Sequence, residues 1–132
     1  MKALSVQKYE DLIVWQKAMD LVTEVYGLAK LLPNEEIYAL SSQMKRAAMS
    51  IPSNIAEGQD RNTTKDSINY LYMAKGSKGE LETQLLICVR LQYLTLPQIV
   101  TARNLLSEIG KMLNALIQSL SAKLPSPTSP AI

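Results

Sequence analysis

Apolar residues recur along most of the chain at alternating spacings of three and four, the period of an α-helix with one buried face. The first such segment, about 11–32, carries two adjacent rows. One is Leu12, Trp15, Met19, Val22, Tyr26 and Ala29; the other is Val14, Ala18, Leu21, Val25, Leu28 and Leu32. Two rows make a stripe wider than a helix needs to face one neighbour. Asp11 is the expected cap and Pro33 the expected stop. Gly27 is a weak point, at about 1 kcal/mol against Ala.

The second segment, about 35–58, opens on Asn34 as cap, with Glu35 and Glu36 in a first turn that favours negative charge. Its row is Ile37, Leu40, Met44, Ala47, Ile51 and Ile55, and Gly58 closes it. Pro52 stands inside it. A proline there removes a backbone donor and presses on the carbonyl four residues back, that of Ala48, so a bend or a local widening is expected. Asn54 and Glu57 are expected to make structural hydrogen bonds.

The third segment, about 63–94, starts at Thr63 with Asp66 at capping-box spacing. Ile68, Leu71, Tyr72, Leu81, Leu85, Cys88 and Leu91 carry its core signal. Gly76 and Gly79 interrupt it, which predicts close approach of a neighbouring backbone or a kink. Ala47 and Ala48 on the second segment are the expected counterparts. The fourth segment, about 97–122, has the cleanest row: Ile99, Ala102, Leu106, Ile109, Leu113, Leu116 and Leu120. Pro97 sits near its start, where proline is tolerated. The stretch 125–132 holds three prolines, and disorder is expected there.

Short links at 33–34, 59–62 and 95–96 force neighbouring helices antiparallel. The predicted fold is all-α, an antiparallel up-and-down four-helix bundle in one domain, 1–124. No alternation of apolar and polar residues signals a strand.

Composition narrows the chemistry. The chain has 132 residues, 14 basic and 12 acidic, one cysteine and no histidine. Without histidine there is no Ser-His-Asp triad, no Cys-His pair and no His-ligated metal. No enzyme activity, cofactor or metal is expected. Cys88 lies on the apolar row with Leu81 and Leu85, as a buried, inert thiol would. Glu80 and Glu82 point to different sides of a helix and form no dyad. One cysteine, no signal-peptide pattern and no membrane span predict a cytoplasmic protein without a membrane partner.

Net charge is +2, too balanced to imply nucleic-acid binding by itself. Basic residues cluster modestly, as Lys45-Arg46, Arg61 with Lys65, and Lys75 with Lys78. These six form the candidate nucleic-acid surface, against the plainer reading of an ordinary solvated face. Antiparallel register places Arg46 level with Glu80, an expected ion pair. The wide stripe of the first helix makes Trp15, Met19, Val22 and Tyr26 the candidate subunit interface, against the plainer reading of a generous core.

Three motifs carry a resemblance. They are Leu12-Ile13-Val14-Trp15-Gln16-Lys17-Ala18-Met19-Asp20-Leu21, then Ser50-Ile51-Pro52-Ser53-Asn54-Ile55-Ala56-Glu57-Gly58, then Gly76-Ser77 with Glu80-Leu81-Glu82-Thr83-Gln84-Leu85. In this order they resemble the four-helix bundle family named for proteins encoded in intervening sequences of bacterial 23S ribosomal RNA genes. The likeness runs from about Tyr9 to Leu120. Trp15, Ser50, Pro52, Asn54, Glu57, Gly58, Gly76, Glu80 and Glu82 are its signature positions, read as structural. Ala39, Lys78 and Gly79 depart from the family pattern.

The resemblance implies a ring-shaped homopentamer and no defined biochemical activity. Accessory proteins of diversity-generating retroelements resemble the same fold and use a basic surface to engage nucleic acid and a reverse transcriptase. That is analogy at the level of fold. The leading expectation is therefore a non-enzymatic homo-oligomeric scaffold that binds RNA or another nucleic acid. The alternative is a protein-interaction adaptor, recruiting a polymerase or reverse transcriptase without touching nucleic acid. An enzyme with a small-molecule site in the bundle is the minor third reading.

Overall fold

The structure, a computed structural model, describes residues 8–125. Four helices account for most of it: α1 (Ile13–Ala29), α2 (Leu40–Gln59), α3 (Thr64–Arg90) and α4 (Val100–Ser121). Single 3₁₀ turns, Tyr9–Asp11, Asn34–Glu36 and Pro97–Ile99, precede α1, α2 and α4. Among the described residues there is no strand, and no helix is long and apolar enough to cross a membrane. Each helix packs on two neighbours, α1 on α2 and α4, and α3 on α2 and α4. This is the expected four-helix bundle. The tail at 126–132, predicted to be disordered, lies outside the described residues.

The core follows the predicted rows except at Tyr72 and Leu91, which stand on the outer side of α3 and are exposed, so they do not join Leu81, Leu85 and Cys88 inside. On α1 it is the second row that is buried, Val14, Ala18, Leu21, Val25 and Leu28, with Leu32 just beyond the helix. Met44, Ala47, Ala48, Ile51 and Ile55 come from α2, and Leu81, Leu85 and Cys88 from α3. Ile99, Ala102, Leu106, Ile109, Leu113 and Ile117 complete it. No phenylalanine is present in the chain, so aliphatic side chains interdigitate to fill the interior.

The helix ends differ from the sequence expectation, each for a local reason. Asp11 does not cap α1: Leu12 holds the cap position with extended backbone and no side-chain hydrogen bond. The end of α1 tightens before Pro33, Leu31 and Leu32 donating to the carbonyls of Leu28 and Ala29. Asn34 does not cap α2, because a 3₁₀ turn and the turn at 37–39 intervene. Ala39 holds the cap position without a side-chain bond; from the 3₁₀ turn before it, Glu36 Oε1 accepts from the Leu40 N–H at 3.3 Å while its Oε2 accepts from the Tyr93 hydroxyl at 2.7 Å. Ile37 therefore sits outside the helix and stays half-exposed.

Thr63 caps α3 as its spacing predicted, accepting from the Asp66 N–H at 3.1 Å. α3 stops at Arg90, short of the expected 94. Gln92 takes a φ of 65°. The Tyr93 N–H then reaches back to the Cys88 carbonyl at 2.9 Å and the Gln92 N–H to that of Val89 at 2.9 Å. This is the Schellman arrangement, built with glutamine where glycine is usual.

α2 runs through Pro52 as one unbroken α-helix, with Pro52 buried and no π turn beside it. The expected widening is absent. The polar residues around the proline form a chain of bonds instead. Asn54 Nδ2 donates to the Ser50 carbonyl at 2.8 Å and to the Ser50 hydroxyl at 2.9 Å. That hydroxyl lies 2.7 Å from Ser77 Oγ on α3. One turn on, Ser67 Oγ donates to the Gly58 carbonyl at 2.7 Å.

Candidate nucleic-acid and subunit interfaces

The six candidate basic residues do not form one patch. Lys65 is exposed near the start of α3. Beside it, Arg61 lies 4.9 Å from the Tyr70 ring centroid and is paired with Glu57. Lys75 sits 5.5 Å above Tyr72 on the outer side of α3. Lys78 turns towards α4: its stem lies across Gly110, where an added Cβ would run into Lys78 Cε, and its Nζ meets Glu82 at 3.0 Å. Lys45 and Arg46 are on α2, on the side facing α1. Lys45 Nζ stands 4.9 Å above the Tyr26 ring, and Arg46 reaches only Ser42 Oγ, at 3.5 Å.

The expected Arg46–Glu80 pair is not formed. The two positions are level, as the Ser50–Ser77 contact confirms, but Arg46 leans towards α1 and Glu80 is exposed on α3. Among the described residues the ion pairs are Lys17–Glu108, Arg61–Glu57 and Lys78–Glu82. Lys45 and Arg46 thus keep uncompensated charges. They line an open groove of about 340 Å³ with Tyr26 and Met49, beneath Ile37 and Tyr38 of the preceding turn. Tyr38 is 96% exposed, which its place in the sequence did not signal.

The signature residues have structural surroundings. Trp15 is half-buried and meets Tyr9 edge to face at 5.4 Å. Ser50 and Asn54 join α2 to α3, and Glu57 holds Arg61 one turn on at the surface. Gly58 is buried: a Cβ there would lie 3.2 Å from both the Ser67 carbonyl oxygen and Tyr70 Cβ. That glycine, with Ala47 and Ala48, gives the close approach between α2 and α3 that was expected at Gly76 and Gly79.

Gly76 and Gly79 face the other way. A Cβ at either position would meet nothing within 4 Å. They lie in the middle of an outward stripe on α3 in which 72, 76, 79, 83 and 86 repeat at four and three. Tyr72 and Met73 stand at one end, Leu86, Ile87 and Leu91 at the other, each 40–55% exposed. The candidate interface on α1 is less open. Trp15, Val22 and Tyr26 are half-buried along the seam with α2, and only Met19 is exposed. A second apolar groove, of about 390 Å³, runs between α1 and α4 and is lined by Leu12, Ile13, Met112 and Leu116.

Cys88 is fully buried, its Sγ 3.5 Å from Met44 Sδ. Burial pushes its thiol up to about 11, and the charge of Glu36 adds to the rise. A thiolate nucleophile is not available there near neutral pH. Among the described residues no group of three or more Cys, Asp or Glu side chains is placed to hold a metal ion.

The architecture is that of an up-and-down four-helix bundle whose chain-specific features lie on its outer faces. The model of the 23S rRNA-intervening sequence protein family matches residues 10–115, and the chain belongs to that family. It is also similar to a crystal structure of a protein of unknown function from the S23 ribosomal protein family, from Bacteroides thetaiotaomicron VPI-5482. The two share 31% identity at a TM-score of 0.74, covering 80% of this chain and 99% of that one. No curated protein matches the chain.

Proposed function

We propose that this protein is a non-catalytic, homo-oligomeric helical scaffold that binds RNA or another nucleic acid. The observation that carries the assembly is the outer stripe of α3. Two interior glycines cost a helix about 1 kcal/mol each against Ala, and among the described residues no neighbour comes within 4 Å of where their Cβ would stand. Flanked by exposed Tyr72, Met73, Leu86 and Ile87, they make a shallow saddle into which another helix fits closely. The α1–α4 groove lies on a different side of the bundle. Two unlike apolar surfaces on one chain suit head-to-tail contacts, which close into a ring when the rotation permits. The homopentamer implied by the family resemblance is such a ring, and it is the favoured stoichiometry.

The nucleic-acid part is supported by the free charges of Lys45 and Arg46, which a ring would repeat once per copy. Light scattering on the purified protein should return a multiple of the monomer mass at micromolar concentration. A Leu86→Glu/Ile87→Glu variant, altered only at exposed positions, should dissociate. A monomeric wild type would sink the assembly; an unchanged mass in the double variant would move the interface elsewhere. RNA affinity should fall steeply with salt as bound phosphates release counterions. A flat dependence, or no binding near 100 mM salt, would remove that part.

A further inference from the structure

The groove between α1 and the start of α2 has a more specific chemistry than a basic surface. We infer that it is a site for single-stranded nucleic acid, in which a base stacks on Tyr38 and the neighbouring phosphates meet Lys45 and Arg46. This rests on the nucleic-acid reading above and narrows it to one place and one form of ligand.

Tyr38 is almost wholly exposed although Ile37, Met49 and the Tyr26 ring line the groove beside it. Its turn is held in shape. Ile37 donates to the Asn34 carbonyl at 3.1 Å and Ala39 to that of Glu36 at 3.0 Å. Glu36 is itself fixed by the Tyr93 hydroxyl at 2.7 Å and by the Leu40 N–H. The ring is therefore presented on an ordered turn. A solvent-facing aromatic on an ordered backbone offers an open face on which a base stacks.

The charges beside it are unopposed. No carboxylate lines the groove, and neither Lys45 nor Arg46 is in an ion pair. Arg61 and Lys78, by contrast, are engaged by Glu57 and Glu82. The ammonium of Lys45 rests 4.9 Å over Tyr26, which holds it at the groove without neutralising it. An aromatic with adjacent cations selects single strands, because a duplex offers phosphates but keeps its base faces stacked inside.

The test is fluorescence anisotropy of the full chain with a labelled single-stranded 12-mer, as RNA and as DNA, and with an RNA duplex of equal length. The single strands should bind at least about tenfold tighter than the duplex. Tyr38→Ala should weaken single-strand binding about 5- to 150-fold, the range of one lost stacking contact, with the salt slope unchanged. Tyr38→Phe should restore it. Arg46→Gln should lower the salt slope by about 0.7, one phosphate on a single strand. Lys65→Gln, outside the groove, should change affinity little. All three positions are exposed, and thermal melting checks that each variant is folded. Equal binding of duplex, or wild-type affinity in Tyr38→Ala, overturns the groove and leaves nucleic-acid binding standing. No binding of any oligonucleotide overturns both.

Discussion

The hydroxyls of Ser50 and Ser77 lie 2.7 Å apart across the α2–α3 seam, and Ser50 also accepts from Asn54. The contact pins a proline-containing helix to its neighbour two residues before the proline. Removing the Ser50 hydroxyl takes away the Ser77 contact and the Asn54 bond, while removing that of Ser77 leaves Ser50 accepting from Asn54; each loss costs about 1–2 kcal/mol, the first the more. Ser50→Ala and Ser77→Ala should each lower the unfolding free energy by that amount, read as a lower urea midpoint at unchanged slope. The double variant should cost less than the two together, because the bond they share is lost only once. Strict additivity would show that the two hydroxyls are not coupled.

The glycines divide by sign. Gly58→Ala should destabilise by about 1–2 kcal/mol, since the new Cβ meets the Ser67 carbonyl and Tyr70 at 3.2 Å and neither can move freely. Gly76→Ala and Gly79→Ala enter open space within the chain and should stabilise the dissociated protein by up to about 1 kcal/mol each. The same two changes should weaken association if the α3 stripe is covered. Chemical denaturation below the dissociation concentration and light scattering above it read the two effects separately.

Cys88 sets an alkaline limit. Its thiol ionises near 9 when exposed but only at about 11 in the folded chain. The unfolded chain therefore loses its proton first. The stability linked to this group is full below pH 9 and is lost as pH rises towards 11. Tyr93, held above its ordinary value first by its hydrogen bond to Glu36, acts in the same direction. Denaturation from pH 7 to pH 11 should show this decline, and Cys88→Ala should flatten it. At pH 8 a thiol reagent should label the native protein only as fast as it opens.

Glu36 serves two partners, accepting from the Leu40 N–H at the start of α2 and from Tyr93 at 2.7 Å. Glu36→Ala removes both and should cost about 1–3 kcal/mol. Tyr93→Phe leaves the Leu40 bond and should cost less. Equal losses would mean that the Leu40 bond contributes nothing.

Gln92→Gly should slow fraying at the end of α3. The backbone there is left-handed, with φ 65°, and glycine adopts it without the steric penalty that glutamine bears. A gain of about 0.5–1 kcal/mol is expected, read as slower amide exchange over the last turn of α3.

Periodicity sufficed for the four helices and nearly all of the core, because rows such as Leu106, Ile109 and Leu113 report directly which way a helix faces. It did not locate the end of α3, where the left-handed residue is glutamine and carries no turn signal. It misplaced the start of α2, because Glu36, which bonds the first N–H of that helix, works together with Tyr93, 57 residues away. Spacing gave the level of Arg46 and Glu80 correctly but not their directions. It also assigned Gly76 and Gly79 to the α2 seam, although they stand opposite the buried Leu81 row. Tyr38 was invisible as a site because its turn was read as helix.

Lys78 lying across Gly110 has a consequence for how the sequence can change. A methyl group at 110 would run into Lys78 Cε, so the lysine stem, flexible at that end, must swing aside to admit one. A smaller residue at 78 would open that space on α4 and leave Glu82 without its partner. The two positions therefore constrain each other only loosely: a methyl group at 110 displaces the lysine rather than excluding it. Alanine at 110 should be tolerated beside Lys78, with the contact between that lysine and Glu82 loosened.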